Sequence, residues 1–204
     1  SYTNSGQLLW TLEGPPGTVV DGRAFWSSDS ADIPNPVLDL PAGPYRLSVR
    51  GHNNSTGSYA FNLVDLSTAT PFVPGTPVSG TLDPGSSTHL HAFTADAGDQ
   101  FYLDGRSVST GAVYVTVIDP FSNVVVKRAL PGDQETFTLP EGGTYLALVE
   151  GRRNITSPST YEWNLQPVSI STTALTIGST VSATIGVTGE QDLHTLSVSY
   201  THLR

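Results

Sequence analysis

The strongest constraint on this 204-residue chain is that it repeats itself. Gly6, Thr11, Pro15, Val19 and Val20 return as Gly111, Thr116, Pro120, Val124 and Val125, each 105 residues later. Leu40-Pro41 returns as Leu139-Pro140, and Tyr45, Val49 and Gly51 return as Tyr145, Val149 and Gly151. Tyr59, Asn62 and Leu63 recur as Tyr161, Asn164 and Leu165, and Gly75, Val78 and Ser79 recur as Gly178, Val181 and Ser182. Order is preserved through every block, and the spacing drifts only where turns can gain or lose residues. An ordered recurrence of roughly 100 residues is the mark of a repeat architecture and must be read before any local element. It places one complete unit at 69–168, the later two-thirds of another at 1–68 and the first third of a third at 169–204. The chain is therefore read as an internal piece of a longer protein that held at least three units.

The repeated blocks alternate with period two, as half-buried strands do. Tyr45, Leu47 and Val49 share a core face, while Arg46, Ser48 and Arg50 point outward. Tyr59, Phe61 and Leu63 share another core face, matched by Tyr161, Trp163 and Leu165. Leu8, Trp10 and Leu12 are matched by Val113, Val115 and Val117. Turn clusters such as Pro15-Pro16-Gly17, Pro41-Ala42-Gly43, Asp83-Pro84-Gly85 and Glu141-Gly142-Gly143 separate the runs, and no long segment carries a helical stripe. The fold class is all-β: an antiparallel, jelly-roll-like β-sandwich in tandem units of about 100 residues. The copies differ where Arg46 and Ser48 give way to Leu146 and Leu148. Either a neighbouring repeat covers that outer face of the complete unit, or two leucines lie exposed on it.

Composition narrows the function. The net charge is −9, charged residues make up 13% of the chain, and Lys127 is the sole lysine. Nucleic-acid and anionic-membrane partners need clustered Lys and Arg, so both are excluded as expectations. No apolar stretch reaches the length of a spanning helix, so membrane insertion is excluded too. Cysteine is absent, which removes disulfides, thiol nucleophiles and thiolate metal sites. Acidity, low lysine and abundant Ser and Thr lean towards an extracellular, secreted or cell-surface location.

Taken together, His91-Ala-Phe-Thr-Ala-Asp-Ala-Gly-Asp99, Val117-Ile-Asp-Pro120, Leu139-Pro-Glu-Gly-Gly-Thr-Tyr-Leu146 and Tyr161-Glu-Trp-Asn-Leu165 resemble the bacterial pre-peptidase C-terminal domain. The resemblance spans 69–168 and most of both partial copies. Similar tandem units, with runs like Thr76-Pro-Val-Ser-Gly-Thr-Leu-Asp-Pro-Gly85, occur in very large secreted bacterial proteins. It implies a jelly-roll-like sandwich exported from a bacterium and attached to other domains. Members accompany secreted peptidases, and some relatives bind collagen with calcium. No residue set here matches those calcium ligands, so no cofactor is assigned and calcium stays open. The tail Ser199-Tyr-Thr-His-Leu-Arg204 departs from the pattern where an Ala-Gly-Asp turn is due. It resembles a translated library adapter and is set aside.

Catalytic motifs are missing: there is no H-E-x-x-H, no G-x-S-x-G and no phosphate-binding glycine loop. No catalytic, cofactor-binding or metal residue is assigned, and the chain is read as a non-enzyme. His89 and His91 would share a strand face as ligands do, but His91 continues to Phe93 and reads as a semi-buried strand histidine. Asp29 and Asp32 read as a solvated turn rather than a calcium loop. Trp10 and Trp163 fall on core faces, whereas Phe25 and Trp26 would favour glycan binding if both were exposed. The sequons at Asn53, Asn54 and Asn154 read as polar turns. The leading expectation is a structural repeat acting as a spacer in an adhesin or surface scaffold, its partners being neighbouring repeats. The alternative is an accessory module of a secreted peptidase or other hydrolase, binding an extracellular-matrix protein such as collagen or a polysaccharide.

Overall fold

The computed structural model describes residues 7–29 and 31–198, so the tail from Ser199 lies outside the described residues. The chain is an all-β molecule built on an antiparallel sandwich. The first strands are β1 (Leu8–Gly14), β2 (Gly17–Ala24) and β3 (Arg46–Gly51), which form a three-stranded sheet in the order β2-β1-β3. Next come β4 (Thr70–Pro71), β5 (Val78–Leu82), β6 (Thr88–Ala95), β7 (Gln100–Val108), β8 (Val113–Ile118), β9 (Val124–Leu130), β10 (Gln134–Thr138), β11 (Gly143–Gly151) and β12 (Ser159–Pro167). They make two facing sheets, ordered β4-β6-β11-β8-β9 and β10-β7-β12-β5. Finally, β13 (Ile170–Ala174) and β14 (Gln191–Thr195) pair in parallel.

The core lies between the two large sheets and follows the period-two pattern. Val113, Val115 and Val117 of β8, Tyr145, Ala147 and Val149 of β11, and Tyr161, Trp163 and Leu165 of β12 are all buried. Aromatic rings tie the layers together. Phe93 meets Phe101 edge-on at 5.8 Å, and Phe72 meets Trp163 edge-on at 5.3 Å. Such pairs add about 0.5–1.5 kcal/mol each beyond the area they bury.

The two tyrosine turns share one local design. Tyr145 donates its hydroxyl to the Glu141 carbonyl at 2.8 Å, and Tyr45 donates to the Pro41 carbonyl at 2.8 Å. Gly143 (φ +144°) and Gly43 (φ +151°) sit against Pro120 and Pro15, where a Cβ would fall 2.9 and 2.4 Å from the ring. Only glycine suits both the dihedral and the space. Pairing recurs as well. Leu8 faces Gly51 and Trp10 faces Val49, as Val113 faces Gly151 and Val115 faces Val149. Thr173 faces His194 in parallel, as Thr70 faces His91.

Two expectations fail here. Tyr59–Leu63 forms no strand, and Tyr59, Phe61 and Leu63 are 50%, 39% and 57% exposed. Their counterparts on β12 are hydrogen-bonded between β5 and β7, whereas residues 7–68 contain no strand flanking this segment. An alternating pattern becomes a strand only where a neighbouring strand supplies the ladder, and the described residues supply none beside this segment. Trp10 is half-buried rather than in the core, because its indole N–H donates to Ser28 Oγ at 2.8 Å and Arg23 lies over its ring at 5.5 Å.

Candidate functional site

Its outer surface makes the β6–β11–β8 sheet different from a one-sided sheet. Leu146 and Leu148 point away from the core, beside Ile118 of β8 and Leu90 of β6 in the ladder. Leu90, Ile118 and Leu148 are nevertheless buried, because Val37, Leu66 and Ala69 pack over them. The face is thus covered by the first segment of the chain, which decides between the two readings of that Leu pair. A strand buried on both faces reads as a continuous apolar run, as Tyr145–Val149 does.

Polar contacts close the same seam. Asp29 follows the one-turn 3-10 helix Phe25–Ser27 and is only 6% exposed. Its Oδ2 accepts the Arg153 backbone N–H at 2.8 Å and meets Arg152 Nε at 3.1 Å, while its Oδ1 accepts the Ala31 N–H at 3.1 Å. Asp32 pairs with Arg153 Nη1 at 2.8 Å and with Arg152 Nη2 at 3.4 Å. Lys127 donates to the Ile33 carbonyl at 2.6 Å, and burial there lowers its pKa despite the carboxylates around it. Asn35 donates to the Ser122 carbonyl at 2.7 Å. The solvated-turn reading of Asp29 is therefore corrected: its oxygens are occupied by cationic and amide donors across a seam. Arg152, Arg153 and Lys127 were not singled out as partners by sequence reasoning. One signal for them existed, since Arg152-Arg153 replaces His52-Asn53 at equivalent positions.

A cavity of about 260 Å³ lies along the seam, lined by Trp10, Arg23, Phe61, Leu63, Leu90 and Leu148 among others. The aromatic pair considered for glycans is split. Phe25 is buried beneath Tyr59 and Phe61, with ring centroids at 5.7 and 6.1 Å, and only Trp26 is exposed. Trp163 is fully buried in the core. Asn53, Asn54 and Asn154 lie in exposed turns.

His89 and His91 project together from β6 towards the opposite sheet. His89 Nδ1 lies 2.9 Å and His91 Nε2 3.2 Å from the Tyr161 hydroxyl. One neutral ring can accept the phenol proton while the other donates to the phenol oxygen, so the trio ties β6 to β12. Burial lowers both histidine pKa values, with His89 adding to the shift at His91, and burial pushes Tyr161 up to about 12. This is a semi-buried structural pair. Among the described residues no group of three His, Asp or Glu side chains is placed to hold a metal ion. No described helix is long and apolar enough to cross a membrane.

Neither a protein-family model nor a curated protein matches the chain. Among solved structures it is similar to the periplasmic g-type lysozyme inhibitor PliG of Aeromonas hydrophila, at 19% identity and a TM-score of 0.37, covering 48% of this chain and 96% of that one. Salmonella Typhimurium PliG gives 19% identity and a TM-score of 0.38 over 48% and 97% of the two chains. The Glycosylation Associate Protein (Gap123) complex of Streptococcus agalactiae gives 13% identity and a TM-score of 0.30 over 59% and 53%. At these TM-scores none of the likenesses enters the functional argument.

Proposed function

We propose that the chain is a non-catalytic run of exported bacterial β-sandwich repeats of the pre-peptidase C-terminal kind, serving as a spacer in an extracellular adhesin or surface scaffold. The supporting observation is the seam. Between residues 29–69 and the central sandwich lie a buried carboxylate, two arginines and an apolar layer, so successive units would move as one body rather than as beads on a linker. A spacer works by transmitting position, and stiffness at joints is what that requires. The occupied oxygens of Asp29 and the closed His89–Tyr161–His91 trio support a structural role for the polar clusters.

The test combines shape and binding. Small-angle scattering should give the same extended envelope with calcium and with a chelator, and a seam variant such as Leu148→Arg should broaden it. A collagen and glycan panel should return no saturable binding. Saturable binding to either would replace this reading with the accessory module of a secreted hydrolase, and hydrolysis by the purified chain would overturn the non-catalytic reading.

A further inference from the structure

The three sequons fall in one turn of the repeat, and their geometry separates them. Gly51 is followed by His52-Asn-Asn-Ser-Thr56 and Gly151 by Arg152-Arg-Asn-Ile-Thr156. An Asn-x-Thr triplet thus returns at Asn54 and Asn154, although His52, Asn53 and Ser55 around it all change. Both segments turn in the same way. The Ser55 N–H donates to the His52 carbonyl at 3.1 Å, and the Ile155 N–H donates to the Arg152 carbonyl at 2.9 Å. Asparagine suits the third position of such a turn. The turn gives no role to a threonine two residues further on.

The middle residue of each triplet is the anchor. Ile155 is half-buried against Gly85 and Gly111, where a Cβ would fall 2.4 and 2.5 Å from its side chain. Ser55 is half-buried as well, and its hydroxyl donates to Gln7 Oε1 at 3.4 Å. The flanking residues face outward: Asn54, Thr56, Asn154 and Thr156 are all exposed. Among the described residues their side chains make no hydrogen bond. Asn53 differs. It sits in the left-handed region at φ +55°, and the hydroxyl two residues after it is that of Ser55, already engaged by Gln7.

We propose that Asn154 of the complete unit, and its counterpart Asn54, are acceptor sites for N-linked glycosylation, and that Asn53 is not. An amide nitrogen is a weak nucleophile, because its lone pair is delocalised into the carbonyl. Transfer therefore needs an enzyme that reads the asparagine together with a hydroxyl two residues on, and both groups must be free at the surface. The donor class is a sugar 1-diphosphate, carried on a nucleotide or on a polyprenol. The amide nitrogen bonds to the anomeric carbon, and the bond from that carbon to the phosphate oxygen breaks. The diphosphate leaves with the electron pair, and the amide proton passes to a base of the transferase. A sugar on Asn154 would stand one residue beyond Arg153, whose N–H donates to Asp29 at 2.8 Å, and so would shield the rim of the seam with a bulky, hydrated group. The inference stands on the turn geometry and holds whether or not the chain is a spacer.

Peptide mapping by mass of the protein recovered from the cells that export it should find a glycosyl group on Asn154 and Asn54 and none on Asn53. Given UDP-glucose and a sequon-reading transferase, the folded chain should gain sugar at the same two positions. Transfer that succeeds only from a polyprenyl-linked sugar would uphold the sites and assign the donor to the lipid-carried class. Thr156→Ala should remove the sugar from Asn154 and Thr156→Ser should keep it, while neither moves the urea midpoint. Bare peptides at both asparagines, attachment only to the unfolded chain, sugar that survives Thr156→Ala, or a midpoint lowered by Thr156→Ala would each overturn the proposal.

Discussion

Asp29→Asn is the most informative perturbation of the seam, because it keeps shape and removes only charge and one acceptor. Each carboxylate oxygen of Asp29 receives a backbone donor, Ala31 N–H on Oδ1 and Arg153 N–H on Oδ2. An amide has one oxygen, so in either orientation one of those donors faces an –NH2 group. Leaving a buried donor unsatisfied costs about 1–3 kcal/mol. The ion pairs add less. The side chains of Arg152 and Arg153 are 26% and 20% exposed, so water still reaches and screens each pair and holds it to about 0.5 kcal/mol. The expected loss is therefore about 2–4 kcal/mol, a large share of the 5–15 kcal/mol that holds an ordinary domain. Urea unfolding followed by tryptophan fluorescence would report it, since Trp10 lines the seam cavity. Hydrogen exchange at the Arg153 amide localises the loss. An unchanged midpoint together with an Arg153 amide as protected as before would refute the assignment of Asp29 as the polar anchor.

Leu148→Ala should cost about 2–3 kcal/mol, the low end for a buried leucine because the seam layer is one residue deep, and should loosen residues 29–69 in a proteolysis time course. Thr116 is fully buried, and its hydroxyl has no hydrogen-bond partner among the described residues. Thr116→Val should be neutral or stabilise by about 1 kcal/mol in thermal unfolding. The copy at Thr11 differs, since its hydroxyl accepts the Gly22 N–H at 3.1 Å, and Thr11→Val should destabilise. The histidines set a pH dependence. Burial lowers both pKa values in the folded state, so the unfolded chain binds protons first. Their contribution is complete above the unfolded value of about 6.5 and is lost as pH falls below it, towards the depressed folded values. Urea midpoints at pH 7.5 and 5 should differ accordingly, and replacing both histidines by glutamine should shrink that difference.

Where a residue's fate depends on its own strand, the sequence was enough. Trp163, Tyr145 and Leu165 are buried as their alternation implies, and His91 sits half-buried beside Tyr161. Where fate depends on a neighbouring strand, the same pattern misled. Tyr59, Phe61 and Leu63 alternate as well as Tyr161, Trp163 and Leu165 do, yet among the described residues no strand pairs with them. Asp29 was missed for a related reason. Nothing local in Ser27-Ser-Asp29 distinguishes a polar turn from an anchor, because its partners across the seam lie more than 120 residues away.

The differences between copies carry more functional information than their likeness does. A residue shared by both copies is held by the internal demands of a unit, as Tyr45 and Tyr145 are by their turns. A residue that changes answers to what lies outside the unit. Arg46 and Ser48 become Leu146 and Leu148, and the leucines are the pair on a covered face, while Arg46 is exposed. His52-Asn53 becomes Arg152-Arg153, and the arginines are the pair that meets Asp29 and Asp32. Both substitutions fall at one joint and both serve it, one supplying apolar cover and the other charge. In the tandem array proposed above, joints need not be alike: a unit presenting Arg46 and Ser48 would demand a polar cover. Exchanging these four residues between copies should move the seam, losing protection at Val37 and Leu66 while the β8–β11 ladder keeps its own.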